Sequence, residues 1–294
     1  MKYLLLVLVT VAASAKAIIC KKIGHDSSDV RSVLFLNANI FAVGAITILI
    51  CNLNKINTFI NISLFSILLS VVFAFFLLFT QITQVFAMSY GLASLSSFIY
   101  SCGFLLPIFF SAIFLSEAIS LYQVFGIAVL LISLVVILSP EKNGKFSFLW
   151  LTFALMSMIG SGTNAIIQKI HQSSQFKNEL VPFIFFAMVF ASLLSFVASL
   201  VIKGDGPAPY KRIYSKKSAV ILMIAGGIVV GGMNVANLML AGRIPAVIQF
   251  PVYNICSMIL TALAGKIFFK EKIGRRKLIG YVIGLAAITV IGIL

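Results

Sequence analysis

Lys16 lies in the middle of an apolar run, LVLVTVAASAKAIIC, where the surrounding residues offer it no carboxylate. A charge inside such a run faces protein or water, since hydrocarbon solvates it poorly. Its chemistry there is to attract an anionic group such as a carboxylate; a lysine so near the basic pair Lys21 and Lys22 can also snorkel to an interface. Thr80, Thr83 and Gln84 stand at i, i+3 and i+4 in another apolar stretch, which puts them on one helical face. Asn234 and Asn237 repeat the spacing further on, and Gln249 and Tyr253 share a face of the next stretch. Tyr100, Asn164 and Asn254 complete the set of polar groups set deep in apolar sequence. Together they could hydrogen-bond a polar solute, or each other with no ligand between.

Other chemistries lack their usual groups. No Gly-x-Ser-x-Gly elbow, His-Glu-x-x-His motif or Walker loop occurs, and we assign no catalytic residue, metal or cofactor. An intramembrane enzyme is the rival reading from another class; it would bury a carboxylate pair, a His site or a metal cluster. His25 and His171 fall in polar connections and are read as solvated. Cys20, Cys51, Cys102 and Cys256 form no CxxC pair and are read as apolar filler.

The elements that carry these residues follow from composition. The chain has 294 residues, 61% of them hydrophobic and 10% charged, with a mean hydropathy of +1.15. A soluble core cannot hide that much apolar surface, so the expected solvent is a bilayer. Backbone groups in hydrocarbon must bond internally, and long unbroken apolar runs exclude a barrel's alternation. An all-α integral membrane fold follows. The net charge of +15 resides in short connections, where it sets topology and meets anionic lipid head groups; no nucleic-acid partner is expected.

The sequence also repeats itself. At an offset of 154, Ile113-Phe114-x-x-Glu117-x-Ile119 and Gly126 align with Ile267-Phe268-x-x-Glu271-x-Ile273 and Gly280, and Cys102 and Leu106 meet Cys256 and Leu260. At 148, Ala17-Ile18-Ile19 meets Ala165-Ile166-Ile167, and Lys21 meets Lys169. The opening MKYLLLVLVTVAASAKA imitates a signal peptide, yet its partner in the repeat assigns it to the fold. Under the two offsets Lys16 pairs with Asn164, Thr80 with Asn234, Thr83 with Asn237, and Tyr100 with Asn254.

This predicts ten transmembrane helices, roughly 3–22, 32–53, 60–88, 91–115, 119–139, 146–169, 180–202, 217–240, 244–268 and 275–294. They form two five-helix repeats, residues 1–139 and 146–294, and an odd number of spans per half forces the halves to be inverted. Pro107, Pro245 and Pro251 are expected to loosen the fourth and ninth spans. Gly227-x-x-x-Gly231 and Gly280-x-x-x-Gly284 permit close helix contact, within the bundle in preference to a dimer seam. Glu117 and Glu271 each precede a span and read as structural turns whose carboxylates cap helix amides.

On Pro107, Phe114-Leu115-Ser116-Glu117-Ala118-Ile119-Ser120 and Gly126, with Glu271, Ile273 and Gly280 in the second copy, each half resembles the EamA-like domain of the drug/metabolite transporter superfamily. The second copy departs from the pattern in having Thr261 where the first has Pro107. The resemblance implies a multi-pass permease of the cell membrane that exports or facilitates small polar or amphipathic metabolites, amino-acid-like ones included. Efflux of toxic compounds is the alternative. It implies a small-molecule substrate, no cofactor, and a monomer or homodimer. Small multidrug resistance proteins of the same superfamily rely on a glutamate in the first span; here Ser14 and Lys16 occupy that neighbourhood. All seven acidic residues lie in connections or at span ends, so proton-driven export of lipophilic cations is not expected. Sixteen lysines and arginines fall on one side and five, Lys169 among them, on the other, which places both termini outside by the positive-inside rule. The superfamily resemblance implies the opposite.

Overall fold

The computed structural model of the protein describes residues 2–26, 29–117, 119–138, 147–202, 213–215, 217–270 and 274–293. Among these, the regular elements are all helical. In chain order they are α1 (Lys2–Asp26), α2 (Val30–Cys51), the short α3 (Ile56–Ile60), α4 (Leu64–Tyr90), α5 (Ala93–Ser101), α6 (Leu105–Phe114), α7 (Leu121–Leu138), α8 (Phe148–Ser173), α9 (Leu180–Val201), α10 (Lys217–Ala241), α11 (Ala246–Phe268) and α12 (Arg275–Ile293).

Short polar residues start the helices. Asp29 accepts from the amides of Arg31 and Ser32, and Ser63 and Ser147 cap α4 and α8 through the amides of Ser66 and Trp150. Ser120 and Gln123 form a reciprocal capping box at the start of α7, with bonds of 2.9 and 3.3 Å. Ser116 and Lys270, which are equivalent in the repeat, both take left-handed φ values, 55° and 52°, just past the ends of α6 and α11. A left-handed residue of this kind past a helix end is a common way to stop the helix, and α6 and α11 share it.

Seven described helices are long and apolar enough to cross a membrane: six segments on α1, α2, α4, α8, α9 and α10, and Leu95–Phe114, which joins α5 to α6. Shorter apolar stretches occur at Leu121–Ser133, Cys256–Phe268 and Leu278–Ala287. Large apolar side chains point outward in helical stripes, such as Leu4, Val7, Leu8 and Val11 on α1 and Leu64, Leu68, Val71 and Phe75 on α4. In water this belt would be a large unsatisfied surface, whereas hydrocarbon matches it. The protein is an all-α membrane protein.

Helices from the two ends of the chain interleave. α4 packs on α8 as α10 packs on α1; α9 packs on α4 as α2 packs on α10; and α1 meets α11 as α8 meets α5 and α6. One apolar core gathers around Phe41, Phe73 and Phe183 of α2, α4 and α9, and a second around Phe98, Leu130 and Met258 of α5, α7 and α11. The Gly227 and Gly231 pattern serves contact within the bundle. A methyl at Gly227 would lie 2.7 Å from the Ile40 carbonyl oxygen, and one at Gly231 would lie 3.1 Å from that of Gly44. Gly284 faces Ser133 of α7.

Three expectations need correction. Pro245 does not loosen the helix after it: it is the N-cap of α11, with φ −55°, where a missing amide costs nothing. α11 stays helical through residue 251, while the fourth apolar segment is interrupted, α5 and α6 being separated by a 3-10 turn over Cys102–Phe104. Pro107 follows that turn and has no amide to offer the Gly103 carbonyl. Lys169 is not in a connection, because α8 continues to Ser173 and buries it; the charge tally becomes sixteen to four. His171, in the last turn of the same helix, is also buried rather than solvated. It stacks on Phe183 at 4.3 Å and lies 3.3 Å from the Ser66 hydroxyl.

Candidate functional site

The polar faces of both halves converge where the two cores meet. Lys16 from α1, Thr80 from α4, Tyr100 from α5, Asn164 from α8, Asn234 and Asn237 from α10, and Tyr253 from α11 line one small cavity of about 40 Å³. Gln84 lines an adjoining recess together with Lys16, Tyr100 and Tyr253. Seven of the eleven residues singled out from the sequence thus meet in one place, and an eighth stands beside it.

Of the remaining three, Thr83 and Gln249 do not line it. Thr83 turns its hydroxyl back to its own helix, donating to the carbonyls of Phe79 and Thr80, as a hydroxyl with no closer acceptor does. Gln249 is fully buried and donates to the Asn237 carbonyl at 3.0 Å, a bond between neighbouring helices that braces the site from behind. Asn254 sits on α11, and its side chain lies outside the described residues.

Within the cavity, each group is held by its own helix or a partner. Thr80 donates to the Phe76 carbonyl, which leaves its oxygen free to accept from the Asn164 amide at 3.0 Å. Asn164 also donates to the Phe76 carbonyl at 3.3 Å. With its nitrogen so fixed, its Oδ1 is buried without a donor, and so is that of Asn237. The Tyr253 hydroxyl lies against Tyr100 and Asn237. Lys16 is 4% exposed and stands over the Tyr100 ring, its Nζ 5.2 Å from the centroid. Among the described residues it has neither a carboxylate nor a hydrogen-bond acceptor.

Sequence reasoning missed Gln168, which lines the cavity one turn after Asn164, and Ser161 and Gly103. The i, i+4 spacing of Asn164 and Gln168 was the available signal. Gly103 belongs to the interrupted segment, and a side chain there would meet the Met158 carbonyl at 2.5 Å, so α8 approaches the break only because that residue is glycine.

Beyond the cavity, the equivalent lysines Lys21 and Lys169 hold equivalent turns. Lys21 donates to the carbonyls of Met88 and Gly91, at 2.7 and 2.6 Å, where α4 turns into α5. Lys169 donates to Glu117 at 2.8 Å and to the Ile244 carbonyl at 3.3 Å, where α10 turns into α11. Glu117 closes this latch by accepting from the Ala246 amide at 2.9 Å. Its carboxylate therefore caps α11, across the bundle, and not the α7 that follows it in sequence; Ser120 and Gln123 perform that cap. The chain brings the negative charge to the positive end of a different helix and adds a buried lysine. Glu271 lies outside the described residues.

No family model matches the sequence. No curated protein matches it either. A solved structure, described only as a crystal structure of a protein, superposes with a TM-score of 0.69 at 13% identity over 96% of this chain and 95% of that chain. At that identity the likeness is one of fold, and it covers nearly the whole of both chains.

Proposed function

We propose that the protein is a secondary transporter of small polar or amphipathic metabolites, built from ten spans in two inverted five-helix repeats of the drug/metabolite transporter type. The observation that carries this reading is Lys16, a buried cation without a carboxylate, in a polar cavity to which helices of both halves contribute. A bundle held together by polar contacts alone gains nothing from an unpaired charge at its centre, because desolvating it costs several kcal/mol, about the stability of a small domain. A binding site gains a counter-charge for its ligand. The interleaved packing of equivalent helices supports the inverted arrangement, and the interrupted segment at Cys102–Phe104 supports a site beside broken helix. Lys21 and Lys169 suit alternating access, because each ties down a turn between two spans whose release would let those helices move.

On this reading the protein resides in the cell membrane, with the basic side cytoplasmic. Lys16→Met, reconstituted in vesicles at matched protein levels, is expected to abolish solute uptake while the protein remains folded, and Lys16→Arg to retain part of it. Undiminished uptake by Lys16→Met would remove the lysine from the site and, with it, the main support for a transport cavity.

A further inference from the structure

The charge balance of the cavity carries a conclusion about its solute and about what drives it, resting on the reading of the cavity as a transport site. Among the described residues that line the cavity and its adjoining recess, Lys16 alone bears a formal charge. On the same cavity, Asn164 and Asn237 each carry an Oδ1 that is a buried acceptor without a donor. For Asn164 the assignment of oxygen and nitrogen is fixed by the two acceptors, Thr80 and the Phe76 carbonyl, that its amide nitrogen meets.

A complementary ligand places one anionic group against Lys16 and turns hydroxyl or amide donors toward the asparagines. Excess charge in a low-dielectric cavity is costly. A monovalent anion leaves the loaded cavity neutral; a dianion leaves it negative, and a zwitterion leaves it positive and brings an ammonium that finds no carboxylate. We propose that the solute crosses as a monovalent anion, a small carboxylate with hydroxyl or amide donors, and that the membrane potential drives it. Each cycle then moves one negative charge. Across a membrane that is negative inside, the outward direction is favoured, by a concentration ratio of about fifty per 100 mV. The protein is thereby an exporter without a second ion gradient.

The test uses the full-length protein in liposomes whose potential is clamped by valinomycin and potassium gradients. Lactate and N-acetylalanine serve as monovalent probes, malate as a dianion, alanine as a zwitterion and glycerol as a neutral solute. Uptake and charge movement are read together, with a trapped pH indicator and protein-free liposomes as controls. The expected result is uptake of a monovalent probe that grows when the interior is positive, tends toward a fifty-fold accumulation at 100 mV, and is lost in Lys16→Met. Uptake of alanine, malate or glycerol in preference to the monovalent probes overturns the charge assignment while leaving a transporter. Uptake of a monovalent probe accompanied by an equal flux of protons, with no net charge, overturns the driving force. If no probe of any class crosses faster than in protein-free liposomes, the transport reading itself is refuted together with this inference.

Discussion

Breaking the latch between Glu117 and Lys169 should destabilise the protein unequally from its two sides. The Lys169 side chain is 4% exposed and that of Glu117 is 26% exposed, with 2.8 Å between them. In Glu117→Gln the lysine keeps its charge in a buried site with no counter-ion. Removing one partner of a buried pair costs about 3 kcal/mol or more, which the partial exposure of the carboxylate reduces to about 2 kcal/mol. In Lys169→Met the volume is retained and the remaining carboxylate still caps Ala246 and reaches solvent, so the loss is about 1 kcal/mol. The double variant should resemble Lys169→Met, giving a coupling of about 2 kcal/mol. Thermal unfolding in detergent reads this out through a thiol-reactive dye. Cys20 and Cys102 are buried reporters, and exposed Cys51 and Cys256 are first replaced by serine in all variants. At about 2 °C per kcal/mol for a chain of this size, Glu117→Gln should melt about 4 °C below its parent and Lys169→Met about 2 °C below. Equal losses, or a larger loss in Lys169→Met, would refute the argument that the uncompensated buried lysine is the dominant cost.

Three further outcomes are expected. Gly227→Leu forces a side chain into the Ile40 carbonyl and Val43 of α2 and should cost about 3 kcal/mol, read by the same unfolding assay, whereas Gly232→Leu, where a Cβ meets nothing within 4 Å, should cost far less. Asn164→Ala removes the hydrogen bond to Thr80 and an open acceptor, and should weaken binding of the transported solute about five-fold in equilibrium competition, with folding retained. Single cysteines beside Lys211 and beside Lys55 should differ toward an impermeant reagent in intact cells: labelling beside Lys55 supports the charge tally, and labelling beside Lys211 defeats it.

Composition and the long apolar runs alone determined that this is a helical membrane protein, because a bilayer rewards uninterrupted hydrophobicity and forbids unpaired backbone. The internal repeat marked which polar residues stand at matching depths, and Lys16, Thr80, Tyr100, Asn164, Asn234, Asn237 and Tyr253 do meet in one cavity. Their spacing was legible since i, i+3 and i+4 define a face before any partner is known. Which face turns inward is a property of packing, and so Thr83 and Gln249 lie off the cavity: a hydroxyl has its own helix to bond, and an amide can serve a neighbouring backbone as well as a ligand. Only the tertiary structure decided the fate of Glu117, whose partners Lys169 and Ala246 are 52 and 129 residues away. A carboxylate beside a helix start reads locally as that helix's cap, although the Ser120-x-x-Gln123 spacing is itself the signature of a capping box that satisfies this start without it. The same holds for Lys169, which reads as the basic end of a span. It is instead a buried ion-pair partner, because the helix runs one further turn and another chain segment brings it a charge.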